Sequence, residues 1–229
     1  MTDFVTTGIE SLDMLLNGGL AKASTTLLIG PAGTLKSYIG QQFIYAGLMN
    51  GEMCLYVGTL ESQSDFEDHL KLNFGWDVKP FVKKGLLKFV DLSHFWAFEP
   101  SRLTRPVELA EIAEKIFKAR EGIGGGRMCV NTLSHLFNFT EDAKTVVRLI
   151  LGLRNNARKK GLTTLFIMDE GAQERVIEEN VKSICDYVLT TCVKNNERRI
   201  RVSKAATKHG LEWHRLFLTS SGVAVEVIH

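Results

Sequence analysis

The amino-acid sequence predicts an α/β fold: a mainly parallel central sheet flanked by helices, with antiparallel strands near the C-terminus. Four short apolar runs alternate with longer segments of helical periodicity, which is the pattern of parallel strands joined by crossover helices. The last third of the chain has closely spaced short runs separated by polar turns, a pattern typical of antiparallel pairing. With 229 residues and 45% hydrophobic content, the chain suits a single domain over residues 1–229.

The predicted elements follow the apolar runs in order. The first strand, residues 25–29, has apolar side chains in succession, as a strand covered on both faces requires. The helix after it, residues 36–49, has one apolar face and stops at Asn50 and Gly51. Further strands are predicted at residues 53–58, 128–131, 163–168, 186–192, 198–202, 214–219 and 224–228. Further helices are predicted at residues 63–74, 106–120, 142–160 and 172–184.

Composition gives little indication of a charged partner. The formal net charge is +2, which favours neither a nucleic acid nor a membrane surface as the ligand. No apolar run approaches the roughly 20 residues that span a bilayer, and no N-terminal segment has the pattern of a secretion signal, so we expect a cytoplasmic protein without a membrane partner. With no C-x-x-C pair, the four cysteines are predicted to be reduced core residues: Cys54, Cys129, Cys185 and Cys192.

A phosphate-binding loop is predicted at residues 30–37, between the first strand and its helix. Successive backbone N–H groups and the helix N-terminus form an anion site in such a loop. Lys36 can reach the outer phosphates of a nucleotide, and the Ser37 hydroxyl can ligate Mg²⁺. The alternative is a Gly/Pro turn that binds nothing. The nucleotide-binding residues predicted here are Gly30, Gly33, Thr34, Leu35, Lys36, Ser37 and Tyr38.

One loop position departs from the G-x-x-x-x-G-K-[ST] pattern. Leu35 stands where the second glycine of the pattern is expected. Its Cβ lies where the backbone wraps closest to phosphate, and a positive φ there adds strain. We therefore expect nucleotide binding to be weakened.

Several motifs stand in a fixed order around the phosphate loop, namely residues 7–13, 18–20, 42–48, 54–57 and 74–77. This ordered set resembles the opening of KaiC-like and RadA-like ATPases of the RecA superfamily. A weaker resemblance continues through residues 180–186 and the C-terminal strands. The resemblance implies a RecA-like fold, ATP as the ligand, and nucleotide sites that often lie between the subunits of a ring or filament.

Compared with that family, the catalytic set is incomplete. Asn131 stands in the place of the Walker B aspartate, so it can meet Mg²⁺ through a water but brings no negative charge, and metal affinity should fall. Leu60 stands in the place of the usual catalytic glutamate. Only Glu61 remains as a candidate catalytic carboxylate, and the alternative places it in the first turn of the next helix.

The family's C-terminal Lys-x-Arg-Gly-x-x-His run, which reaches the nucleotide of a neighbouring subunit, aligns with residues 203–209. His209 matches and is predicted to contact nucleotide, whereas Ser203 and Ala205 replace the lysine and arginine. Lys204 or Lys208 could substitute from a shifted register. We favour the alternative that both are solvated strand and turn charges, together with Arg198, Arg199 and Arg201.

Three further features have two interpretations each. Asp169 and Glu170 follow a predicted strand at the sheet edge where ligands gather, and they either approach Mg²⁺ or a subunit interface or are exposed loop acids. The aromatic segment 94–106 is either a partner-docking loop or a loop folded over its own core. The histidines without recognisable partners are predicted to be ordinary polar residues rather than ligands: His69, His94, His135 and His214.

These departures predict a pseudo-ATPase, or a very weak ATPase, that binds ATP and acts as a regulator or scaffold. Losing one transition-state contact commonly costs about 10²-fold to 10³-fold in rate, and several are missing here. Two alternatives stay open. One is a RadA-paralogue-like recombination accessory that binds single-stranded DNA, and the other is an active ATPase or autokinase with substituted residues. Self-association or a protein partner is compatible with each.

Overall fold

The computed structural model describes residues 3–95 and 108–227. Its strands are β1 (Phe4–Val5), β2 (Leu20–Ala21), β3 (Thr25–Gly30), β4 (Cys54–Gly58), β5 (Leu87–Asp91), β6 (Gly126–Asn131), β7 (Leu162–Asp169), β8 (Tyr187–Lys194), β9 (Glu197–Lys204), β10 (His214–Thr219) and β11 (Gly222–Glu226). Its helices are α1 (Glu10–Leu15), α2 (Lys36–Met49), α3 (Gln63–Phe74), α4 (Lys79–Lys83), α5 (Leu109–Ala119), α6 (Ala143–Lys159) and α7 (Arg175–Ile184).

Within the described residues, nine strands form one sheet in the order β11-β10-β9-β8-β3-β7-β6-β4-β5. The six strands from β8 to β5 in that order are parallel, and β9, β10 and β11 continue the sheet antiparallel. β3 lies in the middle and is buried along its whole length, as its run of apolar residues predicts. The predicted mainly parallel sheet with antiparallel C-terminal strands is therefore confirmed.

Helices cover both faces of the sheet. On one face, buried side chains of α1, α2 and α3 pack with the C-terminal strands, and Phe43 and Phe66 are fully buried there. On the other face, α5, α6 and α7 cover the parallel strands through residues such as Ile116, Leu153 and Val181. The sheet thus has an apolar layer on each side, and its polar groups come to the surface at the strand ends.

The predicted boundaries match some elements and differ by a few residues for others. The predicted bounds are found for α2, α3 and β10. The helix predicted at residues 106–120 corresponds to α5, Leu109–Ala119, and Pro106 lies outside the described residues. The last strand, predicted at residues 224–228, begins earlier as β11, and Ile228 also lies outside the described residues. The short elements α1, α4 and β5 were not predicted. Most of the aromatic segment 94–106 falls in the part of the chain that is not described.

Two compositional predictions can be compared with the structure. All four cysteines are free, but only three are buried, since Cys192 is partly exposed. Among the described helices, not one has both the length and the apolar character that crossing a bilayer requires.

Candidate nucleotide-binding site

Four strand ends meet at one edge of the sheet. β3, β7, β6 and β4 are parallel neighbours, so their carboxyl ends lie side by side. The register pairs Gly30 with Asp169 and Gly58 with Asn131, each the last residue of its strand. A cleft of about 620 Å³ opens at this edge. It is lined by Ala32, Gly33, Leu35, Lys36, Ser37, Tyr38, Thr59, Leu60, Glu61, Asp65, His69, Asn131, Thr132, His135, Ile167, Asp169 and Arg198.

The phosphate loop, residues 30–37, joins β3 to α2 and forms one wall of the cleft. Gly33 and Leu35 have φ values of 78° and 67°, a region in which a residue with a Cβ is strained. The φ of Leu35 is positive, so the condition under which we expect strain at this position is met. Gly30 has no room for a side chain, because an added Cβ would collide with the Thr191 hydroxyl. Thr34 is buried against the same threonine, with the two hydroxyl oxygens 2.7 Å apart.

Lys36 occupies the centre of the loop. Its ammonium donates to the carbonyl oxygens of Gly30 and Pro31, at 2.8 and 2.6 Å, and lies 3.1 Å from the Asp169 carboxylate. The side chain is only 5% exposed. Burial among carbonyls and one carboxylate holds the charge at the loop opening, where an outer phosphate can replace the carboxylate as its partner.

The two candidate metal ligands, Ser37 and Asn131, come together from the start of α2 and the end of β6. The Ser37 hydroxyl donates to Asn131 Oδ1 over 3.3 Å, so two neutral oxygens face the cleft at the position suited to a hard cation. Asn131 Nδ2 donates over 2.8 Å to the hydroxyl of Tyr56, a fully buried residue of β4. Burial, and then the nearby Glu61 carboxylate, raises the pKa of this phenol well above its usual value.

Glu61 lies at the rim of the cleft and outside any helix. α3 begins at Gln63 and is capped by Ser62, so the alternative that Glu61 belongs to the first turn of that helix is wrong. Its carboxylate accepts from the Tyr56 hydroxyl at 3.1 Å and from Gln41 Nε2 at 3.2 Å, and His69 Nδ1 lies 3.1 Å away. Leu60, at the catalytic position of the family pattern, is an exposed apolar side chain at the cleft.

Two of the features with open interpretations belong to the cleft. Asp169 is not an isolated loop acid: its backbone N–H donates to Ser134 Oγ at 2.8 Å, and its carboxylate meets Lys36. His135 also lines the cleft, and its Nδ1 lies 2.7 Å from Thr59 Oγ1. Burial lowers the pKa of His135, and the Asp169 charge opposes that shift. The sequence placed Asp169 at the correct sheet edge but gave no partner for His135.

Arg198 is a site residue that sequence reasoning assigned to solvent. It lies at the start of β9, and its Nε donates to the Gly33 carbonyl over 2.7 Å, which adds a cation beside the phosphate loop. Lys204, considered as a substitute for the family's lysine, instead donates to the carbonyls of Lys182, Ser183 and Cys185 at the end of α7. That contact is the role expected of a cation at a helix C-terminus.

His209, a predicted nucleotide-binding residue, does not line the cleft of its own chain. Its Nδ1 lies 3.0 Å from the Thr207 carbonyl, in the connection between β9 and β10. A contact with the nucleotide of a neighbouring subunit stays a prediction. Tyr38, by contrast, lines the cleft and packs edge-on against Phe74, with ring centroids 5.5 Å apart.

Comparison with known proteins gives the family. A family model described as the KaiC ATPase matches residues 5–228. The chain belongs to the KaiC ATPase family. A UPF0273 protein of Pyrococcus horikoshii is 29% identical over 98% of this chain and 94% of that protein. The circadian clock protein KaiC3 of Synechocystis is 27% identical over 70% of this chain and 31% of its own length.

The fold agrees with that membership. A KaiC-like protein of Pyrococcus horikoshii, solved by crystallography, superposes with a TM-score of 0.82 over 99% of this chain and all of the other, at 22% identity. At that identity the likeness shows a shared fold. Membership of the KaiC ATPase family implies nucleotide binding, typically with Mg²⁺.

Proposed function

We propose that this KaiC-family chain binds Mg²⁺-ATP in the cleft and hydrolyses it very slowly or not at all, acting as a nucleotide-dependent regulator or scaffold. The observation that carries the proposal is the position of Lys36, buried at the centre of the phosphate loop with its ammonium at the opening. A cytoplasmic location, where ATP and Mg²⁺ are both available, is part of the proposal.

The loop residues fit a polyphosphate. Backbone N–H groups at the start of α2 supply the positive end of a 14-residue helix, and Lys36 supplies a full charge. Gly33 leaves open space, since a Cβ added there would meet nothing within 4 Å. Ser37 would hold Mg²⁺ directly and Asn131 through a water, where the metal neutralises phosphate charge.

The groups that would accelerate hydrolysis are either replaced by other residues or engaged in contacts within the chain. Asn131 gives the metal no negative charge, and the exposed Leu60 cannot orient an attacking water. Glu61 is held by donors of its own chain, which leaves it as a structural anchor rather than a free base. Lys204 is occupied at the end of α7. Each loss affects a step that needs charge in the transition state, whereas binding of the ground-state nucleotide is less affected.

A second candidate, an active ATPase with a substituted acid, is favoured by one specific observation. Asp169 places a carboxylate 3.1 Å from Lys36, in the cleft and 32% exposed. An acid at this position would lie near the outer phosphates and could orient a water molecule. For such an enzyme, replacement of Asp169 abolishes turnover, whereas under the pseudo-ATPase proposal there is no Lys36-dependent turnover to lose.

Calorimetric titration with ATP, with and without Mg²⁺, tests the binding part of the proposal. We expect wild-type protein to bind and Lys36→Ala to bind more than about tenfold more weakly, since an ammonium–phosphate contact is lost. Lys159→Ala is the matched control, because Lys159 is exposed at the C-terminus of α6, at the opposite end of the sheet. Equal affinity of wild type and Lys36→Ala would reject the phosphate loop as the site.

Two further assays test DNA binding and self-association. Retardation of a single-stranded oligonucleotide that weakens with salt would support the recombination accessory. Light scattering with and without ATP tests self-association, and an ATP-dependent change in mass would support a scaffold whose assembly responds to nucleotide. An unchanged mass in both states would leave a protein partner as the regulated component.

A further inference from the structure

A chain of hydrogen bonds runs from the cleft rim to the metal-facing oxygens. Glu61 Oε2 lies 3.1 Å from the Tyr56 hydroxyl, which lies 2.8 Å from Asn131 Nδ2. On the other side of the amide, Asn131 Oδ1 lies 3.3 Å from Ser37 Oγ. Tyr56 is fully buried, so its hydroxyl has no solvent alternative. The direction of each bond in this chain can be derived from the number of protons available.

An ionised carboxylate can only accept hydrogen bonds, so the Tyr56 hydroxyl must donate its single proton to Glu61. The phenol oxygen is then left with acceptor capacity alone on its other side. An asparagine amide has one accepting end and one donating end, and only the donating end, Nδ2, satisfies that oxygen. The accepting end, Oδ1, consequently points to Ser37 and the cleft.

We propose that Tyr56, held by Glu61, is a positioning residue that fixes the Asn131 amide with its oxygen toward the Mg²⁺ side of the cleft. Asparagine is less suited than aspartate to this place because one of its two ends repels a cation, and the orientation supplied by Tyr56 removes that disadvantage. Glu61 thereby has a role that requires no contact with the nucleotide. This inference rests on the proposed binding of Mg²⁺-ATP.

The quantity to measure is the Mg²⁺ enhancement, the ratio of the ATP dissociation constants in excess EDTA and in excess Mg²⁺. Tyr56→Phe removes the acceptor for Nδ2, and we expect the Mg²⁺ enhancement to fall about fivefold while the metal-free dissociation constant is unchanged. Glu61→Gln keeps the shape of the side chain but can donate to the phenol. When the new amide of Glu61→Gln donates to the phenol, the Tyr56 proton becomes available to Asn131, and this favours the reversed orientation of the Asn131 amide. We therefore expect a similar fall in the Mg²⁺ enhancement.

Two variants separate orientation from a general loss of packing. Tyr187→Phe makes the same chemical change at another fully buried tyrosine, whose hydroxyl accepts from the Ala21 N–H away from the cleft, and it should leave the enhancement unchanged. In an Asn131→Asp background both ends of residue 131 accept, so orientation no longer matters. There, adding Tyr56→Phe should not lower the enhancement. A fall of equal size in both backgrounds, or none in either, would overturn the proposal.

A readout on ligand-free protein decides the same question even if nucleotide binding fails or Tyr56→Phe does not fold. In ¹⁵N-labelled wild-type protein, the Nδ2 protons of Asn131 should show nuclear Overhauser contacts to the Tyr56 ring. Contacts from these protons to Ser37 Hβ instead would mean the opposite orientation and would overturn the inference. Normal contacts to Tyr56 in a protein that binds no ATP would leave the orientation correct and reject the proposed function.

Discussion

The Lys36 ammonium lies 3.1 Å from the Asp169 carboxylate, so the cation of the phosphate loop is already paired within its own chain. The pairing follows from the sheet: β3 and β7 are parallel neighbours, and Gly30 stands opposite Asp169 in the register. A phosphate entering the loop meets this carboxylate as well as the ammonium. Ligand binding and the ion pair are therefore in competition unless Mg²⁺ or a proton neutralises part of the charge.

Asp169→Asn should tighten binding of metal-free ATP. Two charges about 4 Å apart interact by about 4 kcal/mol at a surface-like dielectric constant, and screening of the partly exposed Asp169 reduces this to about 1 kcal/mol. We expect a gain of about fivefold, measured by calorimetry in EDTA. Glu170→Gln is the control, because it removes an adjacent exposed charge that does not contact Lys36. An equal gain in both variants would mean that only net charge matters.

Leu35→Gly should relieve backbone strain in the phosphate loop. A residue with a side chain at φ 67° costs roughly 1–2 kcal/mol, which offsets most of the packing that the half-buried Leu35 contributes. We expect the free energy of unfolding, measured with urea, to change by less than about 1 kcal/mol, and ATP binding to tighten by roughly threefold to tenfold. Leu35→Ala loses packing but keeps the strain, so it should be the less stable variant. If Leu35→Ala is more stable than Leu35→Gly, the backbone at residue 35 is not strained.

Arg198→Ala should weaken ATP binding without unfolding the chain. Arg198 is exposed and contacts the carbonyl of Gly33, so its charge lies beside the phosphate loop. A loss of roughly threefold to tenfold is expected, and it should shrink at high salt because the side chain is solvated. Arg199 alternates to the other face of β9 and pairs with Glu197 at 3.1 Å. If Arg199→Ala has the same effect on affinity, the proximity of Arg198 to the loop is irrelevant.

His135 should make the fold less stable in acid. Burial lowers its pKa from the ordinary value of 6.5, while Asp169 acts in the opposite direction. The folded state then binds a proton less readily than the unfolded chain, so the contribution is fully present above pH 6.5 and is lost as the pH falls below it. Urea unfolding at pH 7.5 and 5.5 should show a smaller acid loss for His135→Gln than for wild type. If the free energy of unfolding falls equally in both proteins between pH 7.5 and pH 5.5, His135 is not the cause.

Sequence patterns predicted the parts of the site that depend on one strand and the turn after it. Lys36 and Ser37 follow from the loop motif, and Asn131 from the end of an apolar run. Their meeting requires only that the parallel strands of one sheet present their carboxyl ends at the same edge. The same reasoning brought Asp169 to that edge, but its partner depends on strand order and register, which no local pattern contains.

The features that sequence patterns did not predict all depend on contacts between residues far apart in the chain. β5 is an edge strand with three half-exposed positions out of five, so its apolar pattern is weak. Arg198 reaches the phosphate loop only because β9 folds back on β8, whereas in the sequence it is one charge at the start of a predicted strand. Glu61 resembled a helix-start residue because acids are common there, yet Ser62 supplies the cap.

In the proposed function, Lys36 holds ATP in a cleft that lacks the groups needed to hydrolyse it. Single-turnover release of γ-phosphate, with protein in excess over ATP and Mg²⁺ present, tests this most directly. We expect wild-type protein to release phosphate no faster than Lys36→Ala. Release that is clearly faster in wild type than in Lys36→Ala would contradict this expectation. If Asp169→Asn also abolished that release, the catalytic acid would be Asp169.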